Sequence, residues 1–143
     1  MAAQAKLIAD AIVALIRTVS GAPTLVEWRK TDVFHPTRGD GSTGVIVSGG
    51  PESWAGRVFE TSVNKEYPFQ ISYYKPSTPS VPGDNTQPQF WQDMVTALSV
   101  TTLSGTKVWD YEIVTRSEWE NQPFTQGIEV SRGGVLYRTN EAP

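Results

Sequence analysis

The chain has no cysteine and a single histidine among its 143 residues. Without thiols it cannot form disulfides, thiolate metal sites or a cysteine nucleophile. A metal or general-base site would depend on His35 alone or on carboxylates. His35 lies between Phe34 and Pro36 in a predicted loop, so we interpret it as a surface residue. The sequence therefore predicts no catalytic, metal or cofactor-binding residues.

The chain also has neither a strong excess of positive or negative charge nor a long apolar run. The formal net charge is -3 and charged residues make up 19% of the chain, which gives no global electrostatic support for binding a polyanion. Lys6 is the one early cation and Asp10 interrupts the N-terminal apolar stretch, so we expect neither a signal peptide nor a membrane span. The length and the 38% hydrophobic content predict a single globular domain over residues 1–143.

One short motif gives a weak indication of a nucleotide-binding site. Residues 39–44 spell the dinucleotide pattern GxGxxG, but that chemistry requires a helix immediately after the glycines. Here the β-branched run 45–47 follows, which predicts a strand. A G-x-S-x-G elbow, a phosphate-binding P-loop and an HExxH pair are all absent. We therefore expect a protein that is not an enzyme.

Two segments have helical periodicity. The first contains apolar residues at helical spacing and ends before Gly21 and Pro23; these residues are Leu7, Ile8, Ala11, Ile12, Leu15, Ile16 and Val19. The second begins near Pro88 and contains a similar stripe, formed by Phe90, Trp91, Met94, Val95 and Leu98. Both stripes are typical of helices packed on a core.

Alternating or β-branched segments predict strands at 24–29, 45–47, 57–63, 67–75 and 107–116. We expect Pro68 to lie at a strand start or a sheet edge, and Trp109, Tyr111 and Ile113 to share one apolar face. A final hairpin is predicted around a turn at residues 132–134. The order of elements predicts an α+β fold, an antiparallel sheet with two helices packed on one face.

Two long loops, 31–43 and 75–87, interrupt this pattern. The second contains Pro76, Pro79 and Pro82 among small polar residues, a composition that neither starts a helix nor pairs in a sheet. Loops of this length in a compact domain are usually functional or disordered.

The order of elements resembles the tail terminator and neck proteins that join head and tail in long-tailed bacteriophages. The resemblance lies in the opening helix LIADAIVALIRTV, the single later helix FWQDMVTAL, the acidic strand KVWDYEIVTR and the closing segment GIEVSRGGVLYRTNE. It implies a structural virion protein that forms a sixfold ring, caps the tail tube protein and contacts the head connector protein. DNA would pass through the lumen without specific binding, and the ring would be assembled in the host cytoplasm.

In a ring, the long loops and the second face of the sheet would contact neighbouring subunits. Loops that order against a neighbouring subunit exchange conformational entropy for contact area. We therefore predict a subunit interface formed by Phe34, His35, Arg38, Asp40, Pro76, Pro79, Val81 and Pro82. We also expect side chains such as Leu25, Tyr74 and Leu136 to lie on surfaces that only a neighbouring copy covers.

Two other functions stay open. A chain with five Trp and five Tyr could be a carbohydrate-binding module of a phage or secreted protein, since exposed rings stack on sugars. A hydrolase would use paired acids such as Asp110 and Glu112, which share a strand face two residues apart.

Overall fold

The structure, a computed structural model, describes residues 3–30, 43–49, 53–58, 63–76, 89–115, 122–125 and 128–141. It contains two helices, α1 (Gln4–Thr18) and α2 (Gln89–Leu98). The strands are β1 (Val26–Trp28), β2 (Gly44–Gly49), β3 (Ser53–Val58), β4 (Val63–Pro76), β5 (Val108–Thr115), β6 (Gln122–Thr125) and β7 (Ile128–Glu141). The fold is therefore α+β.

The strands form one mixed sheet in the order β1-β2-β4-β7-β5, with β3 beside β4 and β6 beside β7. All pairs are antiparallel except β1 and β2, which are parallel. The prediction of a purely antiparallel sheet is wrong for this pair. Parallel neighbours need a connection of about a dozen residues or more, and residues 29–43 are long enough to supply it.

Both helices contribute to one core on the same face of the sheet. Alternate side chains of β4, from Tyr67 to Tyr73, belong to the same buried cluster as the apolar residues of α1 and α2. The hydroxyl of Tyr137 on β7 donates to the carbonyl of Leu98 at the end of α2, at 2.6 Å. This surface is called the helix face below, and the other surface of the sheet is called the reverse face.

The predicted helices are confirmed, although the buried line of α1 is displaced from the predicted stripe. Its buried residues are Ile8, Ala9, Ile12, Val13 and Ile16. Ala9 and Val13 are missing from the prediction, and Leu15 is only half-buried. In α2 the predicted Phe90, Trp91, Met94 and Leu98 are buried.

The predicted C-terminal hairpin is wrong, because β7 is one continuous strand. It pairs with β4 at fourteen positions, which place Gly133 opposite Ile71 and Gly134 opposite Gln70. Neither glycine has the positive φ that a tight hairpin turn uses. Pairing along a long neighbouring strand has outweighed a local preference for turning.

The same ladder shortens the predicted second loop. Lys75 and Pro76 belong to β4 and lie opposite Glu129 and Ile128. The predicted loop 75–87 therefore begins at residue 77 at the earliest. The remaining residues of that loop lie outside the described part of the chain.

Pro68 lies in the interior of β4 and not at its start, and among the described strands it has a register partner on only one of its two sides. On one side it is opposite Leu136 of β7. On the other side β2 ends at Gly49 opposite Phe69, and β3 begins opposite Glu66, so Pro68 has no register partner in the described strands there. Its carbonyl points toward Gly49, and the backbone nitrogen of a strand residue lies on the same side as its carbonyl. The missing N–H therefore falls in the gap between β2 and β3.

The reverse face is also buried at one end of the sheet. Ile46, Tyr74 and Val130 form a second apolar cluster, against which Leu25 is partly buried. The expectation that Tyr74 lies on a surface that only a neighbouring copy covers is wrong, because its side chain is fully buried within one chain.

Candidate functional site

Seven of the eight predicted interface residues lie outside the described part of the chain. Phe34, His35, Arg38 and Asp40 fall in residues 31–42, and Pro79, Val81 and Pro82 fall in residues 77–88. Pro76 is described as the last residue of β4. Their role in subunit contacts stays a prediction. Of the GxGxxG motif, the final Gly44 begins β2, so a strand follows the motif as predicted.

The predicted acid pair occupies the reverse face of β5, where both acids bind Arg138 of β7. Arg138 Nη1 lies 3.1 Å from Asp110 Oδ2, and Nη2 lies 3.1 Å from Glu112 Oε2. Glu66 of β4 approaches from the other side, with Oε2 at 3.3 Å from Nε. One guanidinium thus lies among three carboxylates. We call these four side chains the charged row.

Electrostatics inside the charged row favour ion pairing. Burial lowers the pKa of Arg138, but hydrogen bonds to Asp110 and Glu112 outweigh this effect and raise that pKa above its ordinary value. The cation is therefore permanent, and each of the two acids uses one oxygen to bind it. Three carboxylates and one guanidinium leave a formal charge of -2 on this part of the surface.

A second polar cluster joins the start of β4 to the end of β7 on the helix face. The carboxylate of Glu141 accepts hydrogen bonds from the hydroxyls of Tyr67, at 2.5 Å, and Thr139. Lys65 Nζ lies 3.8 Å from Glu141 Oε1, and both side chains are 11% exposed. Sequence reasoning missed this cluster because Lys65 and Glu141 are far apart in the chain. Only the β4–β7 register brings them together.

Trp109 is exposed on β5 because a bulge changes the alternation of that strand. Val108 lies opposite Thr139 and Asp110 lies opposite the next residue, Arg138, so Trp109 is the extra residue between them. Val108 is consequently buried, whereas Trp109 is 52% exposed. The prediction that Trp109 shares the apolar face of Tyr111 and Ile113 is wrong for this reason.

Trp28, at 44%, is the other large apolar side chain found exposed among those whose burial is described. It lies on β1, and its indole N–H donates weakly to the carbonyl of Gly49 at 3.4 Å. Val26, two residues earlier on the same strand, is buried. Trp28 and Trp109 therefore mark the two outer strands of the described sheet.

The outer strands differ in charge. Arg17 of α1 donates to the carbonyl of Val26 at 2.8 Å, and Arg29, the first residue after the end of β1, pairs with Glu27 of that strand. Lys30 follows and is exposed. In the part of the chain that the structure describes, these three cations and one carboxylate sum to a formal charge of +2, opposite in sign to that of the charged row beside β5.

Other kinds of site receive no support from the described residues. They include no group of three or more His, Asp or Glu side chains placed to hold a metal ion. Neither described helix is long and apolar enough to cross a membrane. The chain matches no protein-family model, and no curated protein is significantly similar to it.

Proposed function

We propose that this chain is a structural subunit of a phage or phage-derived particle, a tail terminator or neck protein without enzymatic activity. In this role, copies form a ring that caps the tail tube and contacts the head connector. The α+β fold, with two helices on one face of a sheet, is compatible with the resemblance in the order of elements. The particle location, the partners and the sixfold symmetry belong to this proposal.

The observation that carries the proposal is the placement of the two exposed tryptophans. Tryptophan is enriched among the residues that dominate binding energy at protein interfaces. Trp28 and Trp109 lie at opposite edges of the described sheet. A subunit with an adhesive side chain at each edge can contact two neighbours at once, as a ring requires.

The charged row supports a structural role for the two acids that a hydrolase would use. Asp110 and Glu112 each bind Arg138, which holds both side chains across the β5–β7 pair. A carboxylate on a ring surface would also repel the phosphates of DNA passing nearby. That repulsion favours sliding over tight binding.

The proposal is tested by assembly onto tail ends. Purified chain is incubated with tail tubes and with head connectors of the same particle, and binding is followed by sedimentation and negative-stain electron microscopy. We expect ring-shaped density at tube ends for the wild type and for a Gln92→Ala control on the exposed side of α2. A chain that stays monomeric at all concentrations and binds neither tubes nor connectors would contradict the proposal.

A carbohydrate-binding module is the second candidate, favoured by the exposure of Trp109 on a strand that also carries carboxylates. The two exposed tryptophans cannot form one sugar platform, since four strand spacings of about 4.8 Å separate their strands by roughly 19 Å and the register offsets the two residues further along the strands. A glycan array separates the candidates. Binding that is lost in Trp109→Ala supports the module, and an array without hits removes it.

A further inference from the structure

The two outer strands of the described sheet are complementary in charge and alike in exposing one tryptophan. We call β1 with Arg17, Glu27, Trp28, Arg29 and Lys30 the basic edge. We call β5 with Trp109 and the charged row the acidic edge. Counted over the described residues alone, the basic edge sums to a formal charge of +2 and the acidic edge, with the exposed Lys107 before β5 included, to -1.

We infer, on the basis of the proposed function, that copies of the chain associate head to tail, with the basic edge of one copy against the acidic edge of the next. The occupant of each edge is thus a second copy of this chain. Trp28 of one copy and Trp109 of its neighbour form the apolar centre of the contact, and the opposite charges surround it. This arrangement matches the usual anatomy of an interface, an aromatic centre with a polar rim.

Charge decides against the symmetric alternatives. A contact between two acidic edges would bring together two surfaces of like charge, as would a contact between two basic edges, and such contacts are strongly disfavoured. A contact between unlike edges leaves one free edge of each kind on every growing assembly. Such a heterologous contact produces a ring when the rotation between copies closes.

The contact is made by side chains and does not extend the sheet from copy to copy. On β1 the carbonyl of Val26 already accepts a hydrogen bond from Arg17. On β5 the register shifts between Val108 and Asp110 and again between Ile113 and Thr115. Capped carbonyls and bulges are devices that prevent strand-to-strand pairing at a sheet edge. Specific side chains therefore control the association.

The test uses two variants, Trp28→Ala and Trp109→Ala, each of which disables one edge. Self-association is measured by sedimentation velocity, with Gln92→Ala as the surface control. Each variant alone should associate at least about tenfold more weakly than the wild type, because truncating a central tryptophan removes much of the contact. An equimolar mixture should form one-to-one dimers and nothing larger, since each variant still has the edge that the other needs.

Different outcomes identify different failures. If Trp109→Ala loses association and Trp28→Ala keeps it, the contact is symmetric and the inference is wrong. The inference is also wrong, while the proposed function stands, if both variants still form wild-type rings on tail ends. If the wild type neither self-associates nor binds tail tubes, both fail.

A cross-linking measurement covers the case in which a tryptophan variant does not fold. Because the chain has no cysteine, Lys30→Cys and Glu112→Cys each introduce a single thiol on an exposed side chain. Mixing equal amounts of the two variants with a short bismaleimide should give mixed dimers far above the twofold excess over each self-pair that random pairing gives, and the double variant should give a ladder of multimers. A mixed yield no greater than that twofold excess would overturn the inference.

Discussion

At the scale of single residues, the described side chains with the clearest expected effect on stability are polar groups held inside the sheet. Tyr137 is fully buried, and its hydroxyl joins β7 to the last carbonyl of α2. Burial, and to a smaller extent the nearby Tyr111, raise the pKa of Tyr137 well above its ordinary value. Burial also raises the pKa of Tyr73. The part of the stability that depends on these hydroxyls is therefore lost as they ionise at high pH.

Tyr137→Phe should lower the free energy of unfolding at pH 7 by about 1 kcal/mol, because it removes one intramolecular hydrogen bond. The wild type should also lose stability as the pH rises above about 10, since the tyrosine of the unfolded chain ionises first and the folded chain resists ionisation. Urea unfolding at pH 7 and pH 10.5 measures both effects. The variant should lose less stability between these pH values than the wild type or Gln92→Ala; an equal loss would contradict the role of Tyr137.

Glu141→Gln should cost about 2 kcal/mol, because it weakens the charge-assisted hydrogen bonds from Tyr67 and Thr139 and removes the nearly buried ion pair with Lys65. The matched control is Lys6→Gln, which breaks the exposed pair with Asp10, whose side chains are 64% and 60% exposed. That pair should contribute only about 0.4 kcal/mol. Chemical denaturation of both variants gives the comparison, and similar losses would show that burial does not strengthen the Glu141 cluster.

At the scale of elements, two breaks in regular structure shape the sheet. The gap between β2 and β3 accommodates Pro68, and the bulge at the start of β5 exposes Trp109. Gly49 ends β2 at a φ of 93°, a conformation that residues with a side chain rarely adopt. The carbonyl of Pro68 would lie 2.8 Å from a Cβ placed there.

Gly49→Ala should therefore destabilise the fold by about 3 kcal/mol, from backbone strain together with the clash against a carbonyl in the middle of β4. Gly105→Ala is the control, because Gly105 also has a positive φ, of 77°, but has no atom within 4 Å of the added Cβ. It should cost about 1 kcal/mol, from strain alone. Thermal unfolding distinguishes the two, and equal costs would show that the sheet yields at Gly49.

Within α1, burial predicts which large side chain contributes more to the stability of the fold. Ile12 is fully buried and Leu15 is half-buried at the border of the core. Ile12→Ala should cost about 4 kcal/mol and Leu15→Ala about 1.5 kcal/mol, since a cavity forms only where neighbours surround the deleted atoms. Equal losses in denaturant unfolding would place Leu15 in the core as well.

At the scale of the whole molecule, the long loops were expected to order against neighbouring copies. Deleting residues 77–84 should leave the folded core intact, because the segment follows Pro76, the last paired residue of β4. The deletion should impair ring formation, because it removes a loop expected to order against a neighbouring copy. Circular dichroism and assembly on tail tubes measure the two effects. A shortened chain that builds normal rings would contradict a role for this loop in assembly.

By itself the sequence determined both helices and most of the strands, because the spacing of apolar residues along the chain follows the local geometry of a helix or a strand. It also placed Asp110 and Glu112 on one face, which the structure confirms. The tertiary structure alone decided the parallel β1–β2 pair, the straight β7 in place of a hairpin and the burial of Tyr74. It also brought Arg138 among its acids and Lys65 to Glu141. These features depend on pairing between strands far apart in the chain, whose combined hydrogen bonds and packing outweigh the local preference of any short segment.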